Sequence, residues 1–154
     1  MRSTKCGFDE GEGLPPAGDR LVTWGPTLMV DIGFDPNYTP ASKTPPVPGV
    51  TGLHALVDTG ATESCIDTLL AANLKLPIVD RRSVSGIHGA REVDMYLAQV
   101  HITTLRYTIY GAFAGVDLRA GGQLHSALIG RTFLRQFRMV YDGTTGDVEL
   151  TSNL

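Results

Sequence analysis

An apolar strand that ends in a glycine turn and leads into a short helix occurs twice in this chain, and this repeat constrains the fold more than any other feature. In the first copy, residues 53–57 run into Asp58-Thr59-Gly60. In the second, Leu128-Ile129-Gly130 follows about seventy residues later and precedes a helix-like segment at 131–137. Glycine permits a tight turn at the end of each strand. Two similar halves within one small domain would explain the repeat.

Most of the remaining chain has the pattern of short strands. Branched and alternating apolar residues predict a strand at 27–34, and residues 79–118 are strand-like with a few breaks. A hairpin is predicted over 138–141 and 148–151. Besides 131–137, a helix is predicted only at 67–73, where Asp67 is suited to be the N-cap. The chain is therefore predicted to be all-β with two short helices.

The length of 154 residues fits a single domain. The first 20 residues are rich in glycine, proline and acidic residues, a composition typical of mobile segments. We therefore expect a flexible segment at 1–20 and the folded domain at 21–154. Within the domain, residues 35–51 contain five prolines. Proline lacks the N–H donor that a sheet requires, so this stretch is predicted to be a long irregular loop.

Charge, hydropathy and cysteine content argue against several classes of protein. The net charge is −3, and the chain has no basic stripe suited to nucleic acid. No apolar run is long enough to cross a bilayer, and residues 1–20 lack the apolar core of a secretion signal. Cys6 and Cys65 are too few for a disulfide framework, so we expect reduced thiols in a cytoplasmic protein. The four histidines lack metal-ligand spacing, so we expect neither a metal nor another cofactor.

The acid in the first copy of the repeat is the strongest candidate for chemistry. Asp58 follows an apolar strand, Thr59 has a side-chain hydroxyl that can form a hydrogen bond to a neighbouring segment, and Gly60 permits the turn. An aspartate in a strand-end turn is also common for purely structural reasons, and the tripeptide alone is only moderately specific. Two later segments add context: a glycine-flanked turn between strand-like arms at 83–89, and the strand–glycine–helix segment at 127–134.

With these three landmarks in this order, the chain resembles the retropepsin-like aspartic proteases, which are single-domain relatives of pepsin found in retroviruses and in bacteria. The resemblance covers about residues 27–150. It implies a retropepsin-like fold, a closed and mostly antiparallel β-barrel with two short helices. In that family the Asp-Thr-Gly loop carries the catalytic acid, a glycine-tipped hairpin forms a flap over the substrate, and the apolar-apolar-glycine strand supports the loop from below.

The resemblance also implies an aspartic endopeptidase that acts as a homodimer. Two carboxylates about 3 Å apart share one proton, so the ionised one takes a proton from water while the protonated one polarises the scissile carbonyl. A chain with a single Asp-Thr-Gly has to take the second from a partner, which favours a twofold homodimer. The expected substrate is an extended peptide or protein segment, bound through main-chain hydrogen bonds.

The expected site residues follow the three landmarks. Asp58 is the expected catalytic acid, with Thr59 and Gly60 in support. Substrate contacts are expected from the Asp loop, the flap and the second apolar strand, at Ala61, Ser85, Gly86, Ile87, His88, Gly89 and Ile129. Structural support is expected from Gly130 and Arg131. Cys65 lies close to Asp58 in the sequence, and we expect a small buried thiol there and not a nucleophile.

One departure and two rival functions stay open. Thr62 stands where viral relatives have an acid that meets the arginine, so the partner of Arg131 is open between Glu63 and another group. Retropepsin-like folds can also be catalytically silent dimerisation or peptide-binding modules. Asp-Thr-Gly-Ala-Thr further resembles the phosphate loop of actin-like sugar kinases and ATPases, but those enzymes need two large α/β lobes, which 154 mostly strand-like residues cannot form.

Overall fold

The computed structural model describes residues 1–87 and 89–152 of the chain. The strands are β1 (Arg2–Lys5), β2 (Thr27–Gly33), β3 (Val50–Val57), β4 (Cys65–Asp67), β5 (Ile78–Gly86), β6 (Gly89–Ile102), β7 (Tyr107–Val116), β8 (Ala127–Ile129), β9 (Arg138–Asp142) and β10 (Asp147–Ser152). The helices are α1 (Ala17–Trp24), α2 (Thr68–Asn73) and α3 (Arg131–Leu134), with a 3-10 turn at Thr103–Leu105.

Six strands close into a barrel in the order β2-β3-β8-β4-β7-β6, because β2 also pairs with β6. The closing contact is antiparallel and runs from Asp31 opposite His101 to Gly33 opposite Gln99. Most neighbouring pairs are antiparallel, and the exceptions are β3 with β8 and β4 with β7. The predicted fold class, all-β with a closed and mostly antiparallel barrel, is confirmed.

The core fills the barrel because the strands alternate inward and outward positions. On β2, Leu28, Val30 and Ile32 are buried while Met29 between them is half exposed. On β7, Phe113 is 1% exposed and is the largest side chain among the fully buried ones. The helices pack onto the barrel through single apolar faces and make up little of the chain. No helix in the described part of the chain has the length and hydropathy needed to cross a membrane.

A second, three-stranded sheet in the order β1-β10-β9 lies against the barrel. Val148 and Leu150 on its central strand are fully buried and belong to the same core as the barrel. β9 and β10 form the hairpin predicted around residues 142–147, with Asp142 opposite Asp147.

The N-terminal segment is ordered where its composition predicted mobility, and this is a correction. β1 pairs with β10, and Cys6 is 1% exposed within the core. α1 is an additional helix that the sequence did not predict, and its Ala17 and Leu21 are buried. Glu10 accepts a hydrogen bond from the Ala17 N–H at 3.1 Å, so an acid taken as a sign of disorder stabilises the start of α1. The segment is ordered despite its composition because Cys6, Ala17 and Leu21 are buried in a core that distant strands form.

The proline-rich segment between β2 and β3 is irregular until β3 begins at Val50. It is fastened to the barrel by Gln99, whose side-chain oxygen accepts from the Asp35 N–H at 2.8 Å. The Gln99 amide nitrogen donates back to the Asp35 carbonyl at 3.0 Å. Asp35 also accepts from the Val47 N–H, which ties the two ends of the segment together.

Candidate active site

The two halves of the sequence repeat lie side by side in the barrel. β3 and β8 are parallel neighbours, with Leu56 opposite Leu128 and Val57 opposite Ile129. The Asp58 N–H donates to the Ile129 carbonyl at 2.9 Å, so the pairing continues to the first residue of the turn. Parallel strands end at the same edge of a sheet. The turn at Asp58 and the turn at Gly130 are therefore adjacent.

The Asp58 turn, residues 58–62, is held mainly by backbone contacts. The Asp58 Oδ1 accepts from the Gly60 N–H at 2.8 Å, and the Asp58 carbonyl accepts from the Ala61 N–H at 3.3 Å. The carboxyl group is half-buried. Within residues 1–87 and 89–152, Asp58 Oδ2 has no hydrogen-bond partner. One oxygen thus orients the group, and the other is left to meet a ligand.

Gly130 supports this turn through its lack of a side chain. A Cβ built at this position would lie 2.6 Å from the Glu63 carbonyl oxygen and 3.0 Å from that of Ala61. The Gly130 N–H donates to the buried Ser64 Oγ at 3.0 Å. The Arg131 N–H then donates to the Ala61 carbonyl at 2.8 Å. Only glycine permits such a close approach of the two backbones.

The structure shows the partners of Arg131, which the sequence left open. Its guanidinium donates to the Thr59 carbonyl at 2.8 Å and to the Thr62 Oγ1 at 2.9 Å. It makes no ion pair with Glu63 in the described part of the chain. Thr62 thus meets the arginine with a neutral hydroxyl, and the fork of the guanidinium spans both ends of the turn.

A groove of about 930 Å³ lies above Asp58, between the Asp58 turn and the β5–β6 hairpin. It is lined by most of the residues expected to contact substrate, namely Ala61, Ser85, Gly86, Ile87 and Gly89, together with Asp58 and Gly60. His88 lies outside the described residues. The side chain of Ile87 at the hairpin tip is 99% exposed, so it is available to a ligand in the groove.

The structure corrects the expectation that Ile129 contacts the substrate. Ile129 is fully buried in the core, and Leu128 lines the groove instead. Successive side chains of a strand point to opposite faces, so only one of these two neighbours can face the ligand. The apolar run at 127–129 gave no alternation from which to choose between them.

Sequence reasoning missed the charged walls of the groove. Arg81 and Asp94 sit opposite each other on the hairpin, as do Ser83 and Glu92. Arg81 Nε lies 3.5 Å from Glu92 Oε2, and both side chains are largely exposed. Glu63, Arg91 and Asp117 also belong to the charged part of the lining. The alternation of polar residues along both hairpin arms was the available signal in the sequence.

Cys65 lies in the same groove but is poorly suited to attack a substrate. Burial raises the pKa of its thiol to about 11, and the nearby charges of Asp58 and Glu63 act in the same direction. The sulfur lies 3.9 Å from the Glu63 carbonyl oxygen. Only the thiolate is a strong nucleophile, so the thiol is unreactive near neutral pH. Cys6 and Cys65 are both free cysteines.

A second, smaller cavity of about 400 Å³ lies on the other side of the Asp58 turn. Its lining is mainly apolar and comes from the Asp58 turn, from α3 and the residues that follow it, and from β9 and β10: Thr59, Arg131, Leu134, Arg135, Phe137, Met139 and Leu150. Thr59 is exposed, and it is a residue of the turn that lines this cavity and not the groove. We call this space the lower cavity.

Comparison with known proteins gives structural matches only. No family model and no curated protein matches the chain. Among solved structures, the chain is similar to the EIAV protease complexed with the inhibitor HBY-793, with 20% identity, 71% of this chain and 85% of that chain covered, and a TM-score of 0.46. It is also similar to the simian foamy virus (mac) protease in its solution structure, with 16% identity, coverage of 71% and 91%, and a TM-score of 0.46.

Proposed function

We propose that this chain is an aspartic endopeptidase whose two catalytic carboxylates come from Asp58 of two copies of the chain. The observation that carries the proposal is the position of Asp58, half-buried beneath a long groove and fixed by Gly60 and by β8. The sequence landmarks of the retropepsin-like family support the same reading. The lower cavity and the exposed Thr59 beside the turn supply a side on which a second turn can approach.

The proposed reaction needs a pair of carboxylates that share one proton. At a separation of about 3 Å, repulsion prevents both from ionising, so one is an acid and the other a base. The ionised Asp58 takes a proton from a water molecule, and the resulting hydroxide attacks the scissile carbonyl carbon. The protonated Asp58 of the partner polarises the carbonyl oxygen, and proton return to the leaving nitrogen completes the cleavage. Neither a metal nor another cofactor is required.

The groove suits an extended peptide better than a compact ligand. Its walls include the arms of the β5–β6 hairpin, whose side chains are mostly exposed. An extended peptide beneath such a hairpin can form main-chain hydrogen bonds, while alternate side chains enter subsites. Ala61 lies in the Asp58 turn, Leu128 is opposite Leu56 two residues before Asp58, and both supply apolar surface to the groove. We therefore propose apolar side chains on the substrate next to the cleaved bond.

The test is digestion of a peptide library by the wild-type protein and by Asp58→Asn. We expect the wild type to cleave and Asp58→Asn to lose at least about 1,000-fold of the rate, because the variant cannot share a proton between two acids. Asp19→Asn is the matched control, since Asp19 lies on α1 outside the groove lining. Equal cleavage by Asp58→Asn would rule the mechanism out. Peptide binding without cleavage by the wild type would instead favour a catalytically silent peptide-binding module.

A further inference from the structure

The small sheet has two outer strands, and they differ in how ready they are to pair with another chain. β1 is short and polar, and Arg2 reaches across to the carbonyls of Leu105 and Arg106. β9 has no neighbour beyond its outer edge in the described part of the chain. Its central residues are Met139, Val140 and Tyr141, of which Val140 is 52% exposed and Tyr141 50% exposed. An unprotected apolar edge of this kind readily accepts another strand.

The two faces of β9 are defined by its pairing with β10. Directly opposed residues of an antiparallel pair lie on the same face of a sheet. Met139 is opposite Leu150 and Tyr141 is opposite Val148, and both of these β10 residues are fully buried. Met139 and Tyr141 therefore lie on the barrel-facing side, where Met139 lines the lower cavity. Arg138, Val140 and Asp142 lie on the outer side.

The sequence of β9 is complementary to itself. When two copies pair antiparallel with Val140 opposite Val140, Arg138 of each copy lies opposite Asp142 of the other. Both charged pairs are then attractive, and all five residues of the strand are paired. A shift by one residue would turn the partner barrel to the other face of the sheet. The same exercise on β1 places Arg2 opposite Lys5, which is repulsive.

We propose that a second copy of this chain docks along the outer edge of β9, in the register that places Val140 against itself. The three-stranded sheets then join into one six-stranded sheet with both barrels on the same face. The half-exposed Tyr141 is covered by Met139 of the partner, at the mouth of the lower cavity. Because Thr59 lines that cavity, the same contact brings the partner toward the Asp58 turn. The inference rests on the proposed function in one respect, the need for a second carboxylate from a partner.

Charge reversal tests this register by a prediction that few other interfaces make. Arg138→Asp alone puts two like-charged pairs across the twofold axis, and so does Asp142→Arg alone. We expect each variant to raise the dissociation constant of the dimer by roughly 10-fold or more, as measured by sedimentation. An equal mixture of the two variants restores both opposite-charge pairs in the heterodimer. We expect the mixture to recover dimer close to the wild-type level.

Two controls separate pairing from folding. Lys43→Asp makes the same change of charge in the exposed proline-rich segment and is expected to leave sedimentation unchanged. Asp142 also accepts hydrogen bonds from the N–H groups of Thr144 and Thr145 within the hairpin turn. Asp142→Asn keeps an oxygen for that turn while removing the charge, and circular dichroism checks that each variant is folded.

Several outcomes would overturn the interface. These are single variants that dimerise like the wild type, folded variants whose mixture stays monomeric, or a wild-type protein that is monomeric throughout. Cleavage is measured in parallel, so the two proposals fail separately. Dimers that follow the charge pattern but cut no peptide leave the interface standing and remove the protease. If cleavage depends on Asp58 but is unchanged in the charge variants, the protease proposal stands and the interface is excluded.

Discussion

At the scale of single residues, the position of Asp58 is determined by what its neighbours lack as much as by what they offer. Gly130 contributes no side chain, which lets the backbone of residues 61–63 come within contact distance. Arg131 contributes donors that reach the Thr59 carbonyl and the Thr62 hydroxyl. Ser64 is buried beneath them and accepts from the Gly130 N–H. The backbone of the turn is therefore held at several points, which suits the fixed geometry that an acid–base group requires.

Adding one methyl group at Gly130 tests this arrangement. The φ of Gly130 is −90°, an ordinary value, so the cost of Gly130→Ala comes from the clash with the Glu63 and Ala61 carbonyls. We expect a loss of about 1–3 kcal/mol in the free energy of unfolding, and a loss of cleavage. Urea denaturation measures the first. Gly111→Ala is the control, because a Cβ there meets nothing within 4 Å, and equal effects of the two variants would contradict the explanation.

The thiol beside Asp58 gives a second prediction at this scale. Because burial raises the pKa of Cys65 to about 11, little thiolate exists at pH 8. We expect Cys65 to react with iodoacetamide much more slowly in the folded protein than after denaturation. Cys65→Ser should keep peptide cleavage close to the wild-type rate. A variant that abolished cleavage without unfolding the protein would point to a cysteine nucleophile instead.

At the scale of elements, Asp67 joins a strand, a helix and a loop. It ends β4 and accepts from the Leu70 N–H at 3.3 Å as the N-cap of α2, as the sequence predicted. It also accepts from the N–H groups of Leu118 and Arg119 at 3.0 and 3.1 Å. Asp67 is 3% exposed. Backbone N–H groups of the loop after β7 thus find their acceptor in a residue 51 positions earlier in the chain. The local sequence could not indicate this contact.

Removing this carboxylate should weaken all three elements together. For Asp67→Ala we expect a loss of about 2–4 kcal/mol in the free energy of unfolding, because buried N–H groups lose their acceptor. Asp80→Ala is the matched control: Asp80 also accepts from two donors, at Arg81 and Arg82, but it is exposed. Its urea midpoint should move far less. Similar midpoints for the two variants would show that the buried contacts do not matter.

At the scale of the whole molecule, one histidine links segments that lie far apart in the chain. His125 is 2% exposed, and its Nε2 lies 2.9 Å from the Thr27 Oγ1 at the start of β2. The contact joins the approach to β8 with the approach to β2, on the opposite side of β3. Burial lowers the pKa of His125 below its ordinary 6.5, and the nearby His54 lowers it further.

This pKa shift makes the stability of the fold depend on pH. The unfolded chain binds a proton at His125 more readily than the folded chain does, so the stabilisation is complete above pH 6.5 and declines as the pH falls. We expect the urea concentration at the unfolding midpoint of the wild type to be lower at pH 5.5 than at pH 7.5. His125→Gln should be less stable at pH 7.5 but show a smaller fall. An unchanged pH dependence in the variant would exclude this histidine as the source.

The sequence by itself determined the features that depend on neighbouring residues. Alternating and branched residues defined β2 and the β9–β10 hairpin, Asp67 marked the start of α2, and the repeat of strand and glycine marked the turn at Asp58 and the turn at Gly130. These signals are local, because side-chain periodicity, capping and glycine turns act over a few residues.

Only the tertiary structure decided which distant segments meet. It closed the barrel between β2 and β6, placed β1 on β10, and gave Arg131 its partners at Thr59 and Thr62. It also turned Leu128 toward the groove and Ile129 into the core. Each of these outcomes depends on register and burial against strands far away in the sequence. Such contacts cannot be predicted from a residue's own type and its immediate neighbours.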